Sequence, residues 1–173
     1  MSLISMDFKK YSSIFLLSLL VSCQTIKEKE LQGIQGFALG TSYSILYSAS
    51  ASEETVFERQ VDSIFEILNQ SLSTYIPTSD ISKINQGDSV LMVDKHFVKV
   101  YQKASEVWNA TGGYFDPTVG ALVNAYGFGP GKPLNKISEK QRDSLLDFTG
   151  WDKTSLTPQA TVKKIHPNVN FDF

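Results

Sequence analysis

The stretch "TGGYFDPTVGALVNAYGFGP", residues 111 to 130, limits what this chain can fold into more than any other. Glycines stand at positions 112, 113, 120, 127 and 129, and each costs about 1 kcal/mol against alanine in a helix interior. A long core helix is therefore excluded. Tyr114, Phe115, Tyr126 and Phe128 are too bulky and apolar for a flexible linker. Asp116 carries the only charge in the run. Backbone shaped around a ligand, with flat apolar surface beside it, would satisfy both constraints. A loop-to-helix junction whose aromatics fill ordinary core would satisfy them as well.

The segments on either side read as regular structure. Ile34 to Tyr47 is rich in aromatic and β-branched residues, with period-2 spacing over Tyr43, Ile45 and Tyr47, and predicts a hairpin or a bent pair of strands. Within it, Ala38 to Tyr43 fits a strand with a glycine bulge, or a cleft edge presenting Leu39 and Thr41. Glu53 to Leu72 carries Val56, Phe57, Val61, Ile64, Phe65 and Leu68 at helical spacing, with Ser52 as its expected N-cap. Pro77 breaks that helix, and Ser79-Asp80 predicts a capped helical turn ending near Asn85.

Ser89 to Val93 is a short strand by pattern. Asp94 then caps a second long helix to about Asn109, with Val98, Tyr101, Ala104, Val107 and Trp108 as its apolar stripe, and Gly112-Gly113 stops it. Asp116-Pro117 fits an N-cap followed by proline at the first helical position, leaving the Thr118 and Val119 N–H groups to face an anion or the Asp116 carboxylate. A third helix is predicted over Ser138 to Phe148, with Ser138 and Gln141 spaced as a capping box. Two strands are predicted in the tail, Thr161 to Ile165 and Val169 to Phe173. The fold class is α+β: a mixed or antiparallel sheet with helices packed on it.

The first residues have another character. Lys9 and Lys10 precede an apolar run from Ile14 to Val21, far short of the roughly 20 residues that a membrane span needs. This is a secretory signal pattern. It ends in Leu20-Val21-Ser22-Cys23, and Cys23 is the one cysteine of the chain. The ending resembles a bacterial lipobox, with Cys23 as the lipidated residue. Residues 1–22 are then a signal peptide, 23–33 a tether, and 34–173 the folded part. Two or three acyl chains hold a protein firmly to a bilayer, so the expected location is extracytoplasmic and membrane-anchored, with the choice of membrane open.

Several function classes are excluded. A net charge of −2 over 173 residues leaves no basic footprint for nucleic acid. No Gly-x-Ser-x-Gly, Walker-type or dinucleotide fingerprint occurs. With one cysteine, a Cys/His zinc site cannot be assembled.

Three segments, in order and spacing, resemble the ApbE family of FAD:protein FMN transferases. They are Leu39-Gly40-Thr41-Ser42-Tyr43, the run "LSTYIPTSDISKIN" (Leu72–Asn85) and Thr111 to Gly129. Family members show Met-Gly-Thr in the first, the same Ser-Thr-Tyr-x-Pro-x-Ser pattern in the second, and a Gly-Gly-x-Phe-Asp-Pro-Thr-Val-Gly pattern in the third. Two departures keep the wall apolar: Ala121 stands where proline is usual and Tyr126 where tryptophan is usual.

What the resemblance implies is specific. Members cleave the FAD pyrophosphate and attach FMN through a phosphoester to a Thr or Ser hydroxyl of a target protein, with Mg²⁺ and with release of AMP. By that resemblance Leu39 occupies a strand position touching the flavin nucleotide, and Tyr75 stands beside FAD. Tyr114, Phe115 and Asp116 form the turn holding the nucleotide, with Asp116 accepting its hydrogen bonds. "VNFDF" (Val169–Phe173) resembles the opening of the family's next motif, with Asp172 as the motif aspartate. The segment supplying most Mg²⁺ ligands would follow it, so the expectation is an incomplete portion of a longer enzyme with no metal ligands in this chain. Redox-pump or flavin-reductase subunits bearing a Thr/Ser motif are the implied acceptors. The alternative is an extracytoplasmic flavin-binding lipoprotein without transferase activity.

Overall fold

The computed structural model describes residues 30–49 and 54–173. The leader, Cys23 and the expected cap Ser52 lie outside them. Strands β1 (Glu30–Ala38) and β2 (Thr41–Ala49) form an antiparallel hairpin in the register Ala38↔Thr41 and Gly33↔Leu46. β1 thus begins within the segment expected as tether.

Leu39 is a turn residue rather than the strand residue expected of it. The register leaves only Leu39 and Gly40 to reverse the chain, with φ of 52° and 76°. Two-residue hairpin turns need positive φ to match strand twist. Glycine adopts it freely, whereas a leucine there is strained.

The hairpin is joined to α1 (Glu54–Leu72) by aromatic contacts. Tyr47 stacks on Phe57 with ring centroids 4.0 Å apart, and Tyr43 meets Phe65 at 4.9 Å. Of the apolar stripe predicted for α1, Val61 is buried, while Val56 and Ile64 face solvent.

The next two helices begin where their caps predict. Ser79 caps α2 (Asp80–Asn85), its Oγ accepting from the Ser82 N–H at 3.2 Å. Asp94 caps α3 (Lys95–Ala110), Oδ1 accepting from the His96 and Phe97 N–H groups at 2.9 and 2.8 Å. Around these helices lies the core: Ile81, Ile84, Val93, Phe97, Tyr101, Ala104, Trp151, Val162 and Phe171. Phe97, absent from the predicted stripe of α3, is fully buried in it. Tyr101 and Trp151 are tilted rings at 4.5 Å, and Trp151 meets Phe171 edge-on at 5.9 Å.

Asp116-Pro117 does not open a helix. Helix α4 spans Gly120–Tyr126 and its N-cap is Val119, without a side-chain cap. Helix α5 (Glu139–Leu146) has the predicted capping box of Ser138 and Gln141. A 3₁₀ turn at Trp151–Lys153 leads into β3 (Thr154–Leu156), which pairs antiparallel with β4 (Val162–Lys164).

Among the described residues the strands form two separate two-stranded ladders. Residues 89–93 supply only a single bridge, Met92↔Thr161, instead of the predicted strand. Asp88 Oδ1 accepts from both the Val90 and Leu91 N–H groups at 3.1 and 3.0 Å, and this side-chain turn takes those donors away from a ladder. The predicted last strand is also reduced to one bridge, parallel, between Val119 and Asn170. Its remaining partners are a loop and a side chain.

Candidate functional site

Residues 117–120, 170–172 and Asn85 build the floor of a cleft. The Gly120 N–H donates to the Asn170 carbonyl at 3.0 Å, and the Asp172 N–H donates to the Pro117 carbonyl at 2.8 Å. Gly120 is required there, because an added Cβ would lie 2.8 Å from the carbonyl oxygens of Asn170 and Phe171. On the opposite side Asn85 pairs with Phe171 in both directions. Its Nδ2 donates to the Phe171 carbonyl at 2.9 Å, and its Oδ1 accepts the Phe171 N–H at 2.8 Å.

The cleft over this floor has a volume of about 340 Å³. Thr74, Pro77, Ser82 and Asn85 line it from the α1–α2 region, Asn124 and Gly129 from α4 and the loop after it, and Asp172 from the tail. Three sequence segments far apart in the chain therefore meet here. Amides, hydroxyls and apolar groups dominate the lining, and Asp172 is the one ionisable side chain on it among the described residues. Burial pushes the Asp172 carboxyl above the usual carboxylate range, partly offset by a hydrogen bond with Thr74.

The loop over the cleft is fastened at two points. The Tyr75 hydroxyl donates to the Phe128 carbonyl at 2.8 Å, and Asn124 Oδ1 accepts the Gly131 N–H at 3.1 Å. Gly129 fits against Asn124 so tightly that a Cβ there would collide with its amide.

The site residues read from the sequence are dispersed. Asp172 lines the cleft, and Tyr75 holds the loop beside it. Leu39 is at the hairpin tip, and Tyr114 and Phe115 are exposed; none of the three lines the cleft. Asp116 has protein partners on both oxygens. Oδ1 accepts from the Thr118 N–H and hydroxyl at 2.8 and 2.5 Å, and Oδ2 accepts from the Trp151 N–H at 3.0 Å. Thr118, fully buried, in turn accepts the Gly150 N–H at 2.6 Å. Asp116 thus anchors the glycine-rich turn to the 150–151 segment.

Sequence reasoning passed over Thr74, Ser82, Asn85 and Asn124. All lie inside the motif segments, and only Asn124, a polar residue between apolar neighbours in "LVNA", carries a local signal.

The ApbE family model matches residues 39–173, which takes in every segment of the cleft. This chain belongs to the ApbE family. Among curated members similar to it, the FAD:protein FMN transferase of Haemophilus influenzae is 32% identical over 164 residues, covering 88% of this chain and 46% of that protein. The one from Vibrio cholerae is 32% identical over 154 residues, covering 86% and 46%. Among solved structures, the flavin transferase ApbE from Vibrio cholerae superposes with a TM-score of 0.76 at 27% identity, over 83% of this chain and 48% of that one. The ApbE protein of Thermotoga maritima gives 0.71 at 26%, over 83% and 47%. The chain spans about half the length of the relatives it matches.

The ApbE resemblance implied Mg²⁺ held mostly by a later segment, and the cleft has few groups of its own to offer that ion. Mg²⁺ is commonly held by one or two carboxylates, with waters and substrate phosphates completing its octahedron. Asp172 is the one carboxylate on the lining, and no group of three or more His, Cys, Asp or Glu gathers among the described residues.

Proposed function

We propose that this chain forms part of an FAD:protein FMN transferase and supplies one wall of its FAD site. The observation that carries the reading is the convergence of the motif runs at 72–85 and 111–129 with the tail at Asp172 on one cleft whose lining is amide- and hydroxyl-rich. Such a lining suits a neutral heterocycle with ring nitrogens and amino groups, which the amides and Asp172 can address as donors and acceptors. It is poorly suited to a pyrophosphate, since no Lys or Arg lines it and Asp172 would repel one when ionised. The base of FAD is therefore assigned to the cleft, with the pyrophosphate towards its mouth. The exposed rings of Tyr114, Phe115 and Phe128 offer flat surface for the second ring system.

In the proposed reaction a Thr or Ser hydroxyl of the acceptor attacks the FMN phosphorus. The new P–O bond forms as the pyrophosphate bond breaks, AMP leaves, and the hydroxyl proton is released. Mg²⁺ enters from the resemblance alone, as an ion to neutralise the pyrophosphate, with ligands outside this cleft. The acceptors proposed are redox-pump or flavin-reductase subunits. Lipidation at Cys23 and an extracytoplasmic, membrane-anchored location complete the proposal, and loss of membrane association in Cys23→Ser would support them.

Equilibrium dialysis of FAD against the purified chain tests the nucleotide site. Retention of FAD, weakened in Asp172→Ala, supports the reading, and no retention rejects it. Transfer is read as flavin fluorescence that stays with an acceptor band on a denaturing gel. Binding without such transfer, in the longest polypeptide that contains this chain, would favour the flavin-holding alternative.

A further inference from the structure

We infer that Asn85 is a positioning residue for the cleft: its side-chain amide replaces a neighbouring strand and sets where Asp172 presents its carboxyl. The inference rests on the FAD reading for its functional consequence and on geometry alone for its structural part.

The tail from Asn170 to Asp172 is extended between two partners. Backbone groups of Asn170 and Asp172 bond to residues 117–120 on one side, at 3.0 and 2.8 Å. Phe171, between them, turns its N–H and C=O to the other side, as alternation along a strand demands. Among the described residues no strand stands there. Asn85 meets both groups at 2.8 and 2.9 Å, offering one donor and one acceptor in a plane, as a peptide unit would. Asn170 adds a bond to the same residue's backbone: with its amide turned to satisfy its surroundings, it donates to the Asn85 carbonyl at 3.2 Å.

Asn85 is itself held at the end of α2. Lys164 Nζ donates to the Ile84 carbonyl and to the Pro167 carbonyl, both at 2.9 Å, tying the start of the tail to the same helix end. Phe171 is fully buried, and in the folded protein Asn85 is the partner of both its backbone groups. Asp172 follows directly, and its carboxyl turns into the cleft near Thr74. Other charged groups of the surrounding elements are engaged elsewhere. Asp80 and Lys83 of α2 pair at 3.4 Å and line a different depression, and Asp116 is bonded to Thr118 and Trp151.

The test compares Asn85→Ala and Asn85→Ser with the unsubstituted chain by two readouts. One is FAD affinity as a function of pH; the other is the titration of the Asp172 carboxyl carbon followed by NMR without ligand. Both variants are expected to stay folded by near-UV circular dichroism, with Asn85→Ala binding FAD roughly tenfold more weakly and shifting the Asp172 titration down towards an ordinary carboxylate. Asn85→Ser, which can keep one of the two bonds, should fall between the other two. An Asp172 titration unmoved in folded variants overturns the inference, as does unfolding of both. Should the unsubstituted chain retain no FAD, the FAD reading fails, while the ligand-free titration still decides the role of Asn85.

Discussion

Asp116 and Trp151 stand 35 residues apart in sequence, yet the Asp116 Oδ2 accepts the Trp151 backbone N–H at 3.0 Å. The other carboxylate oxygen holds Thr118, so one side chain fixes the glycine-rich turn against the segment carrying a core tryptophan. Asp116→Ala leaves the N–H groups of Thr118 and Trp151 without this acceptor. A part-buried donor left unmatched costs about 1–3 kcal/mol. Urea denaturation should show a loss in that range or above, with Asp116→Asn losing less because it keeps one oxygen. An unchanged midpoint in the alanine variant would remove Asp116 from this role.

Gly120 admits no side chain. Its added Cβ would meet two backbone carbonyl oxygens at 2.8 Å, and backbone cannot swing aside as a flexible side chain can. Gly120→Ala should therefore destabilise by about 1–3 kcal/mol and displace residues 170–172. Weaker FAD retention should accompany the lower midpoint. Equal stability in thermal denaturation would show that the tail yields without cost.

Asp172 sets stability against binding. Burial holds its folded pKa above the unfolded value, so the folded state binds more protons between the two. The stability it contributes is present below the unfolded pKa and lost as pH rises through the folded one. Asp172→Asn should accordingly be at least as stable at neutral pH, with a flatter acid limb, while retaining FAD less well. Denaturation curves over acid to neutral pH, beside dialysis with FAD, check both halves. A less stable Asn variant at neutral pH would contradict the sign.

Lys164 should show a slope at the alkaline end. Burial lowers its pKa from 10.5 to about 8, so between those values the unfolded chain holds the extra proton. The cost of burying the charged amine is fully present below about 8 and is relieved as pH rises towards 10.5. Lys164→Met should remove that slope and also lose the bonds to Ile84 and Pro167. Urea midpoints measured across this window decide it; parallel slopes in the two proteins would reject the assignment.

Elements with local causes are legible in the sequence. Ser79, Asp94 and Ser138 cap helices through bonds reaching two or three residues ahead, and those helices start where their caps predict. The motif runs at 72–85 and 111–129 likewise marked the segments that form the cleft. How those segments meet depends on long-range packing. Asn85 and Phe171 are 86 residues apart, and nothing near either one announces the pairing. Asp116 looked like a helix cap because its neighbours fit one, until the Trp151 N–H claimed its second oxygen. Leu39 looked like a strand residue until the register of β1 and β2 left it in the turn. Caps depend on groups within one helical turn, which the chain keeps together in any compact state. The cleft depends on buried backbone groups finding partners across long loops, and which partners remain is settled only when the core has excluded water.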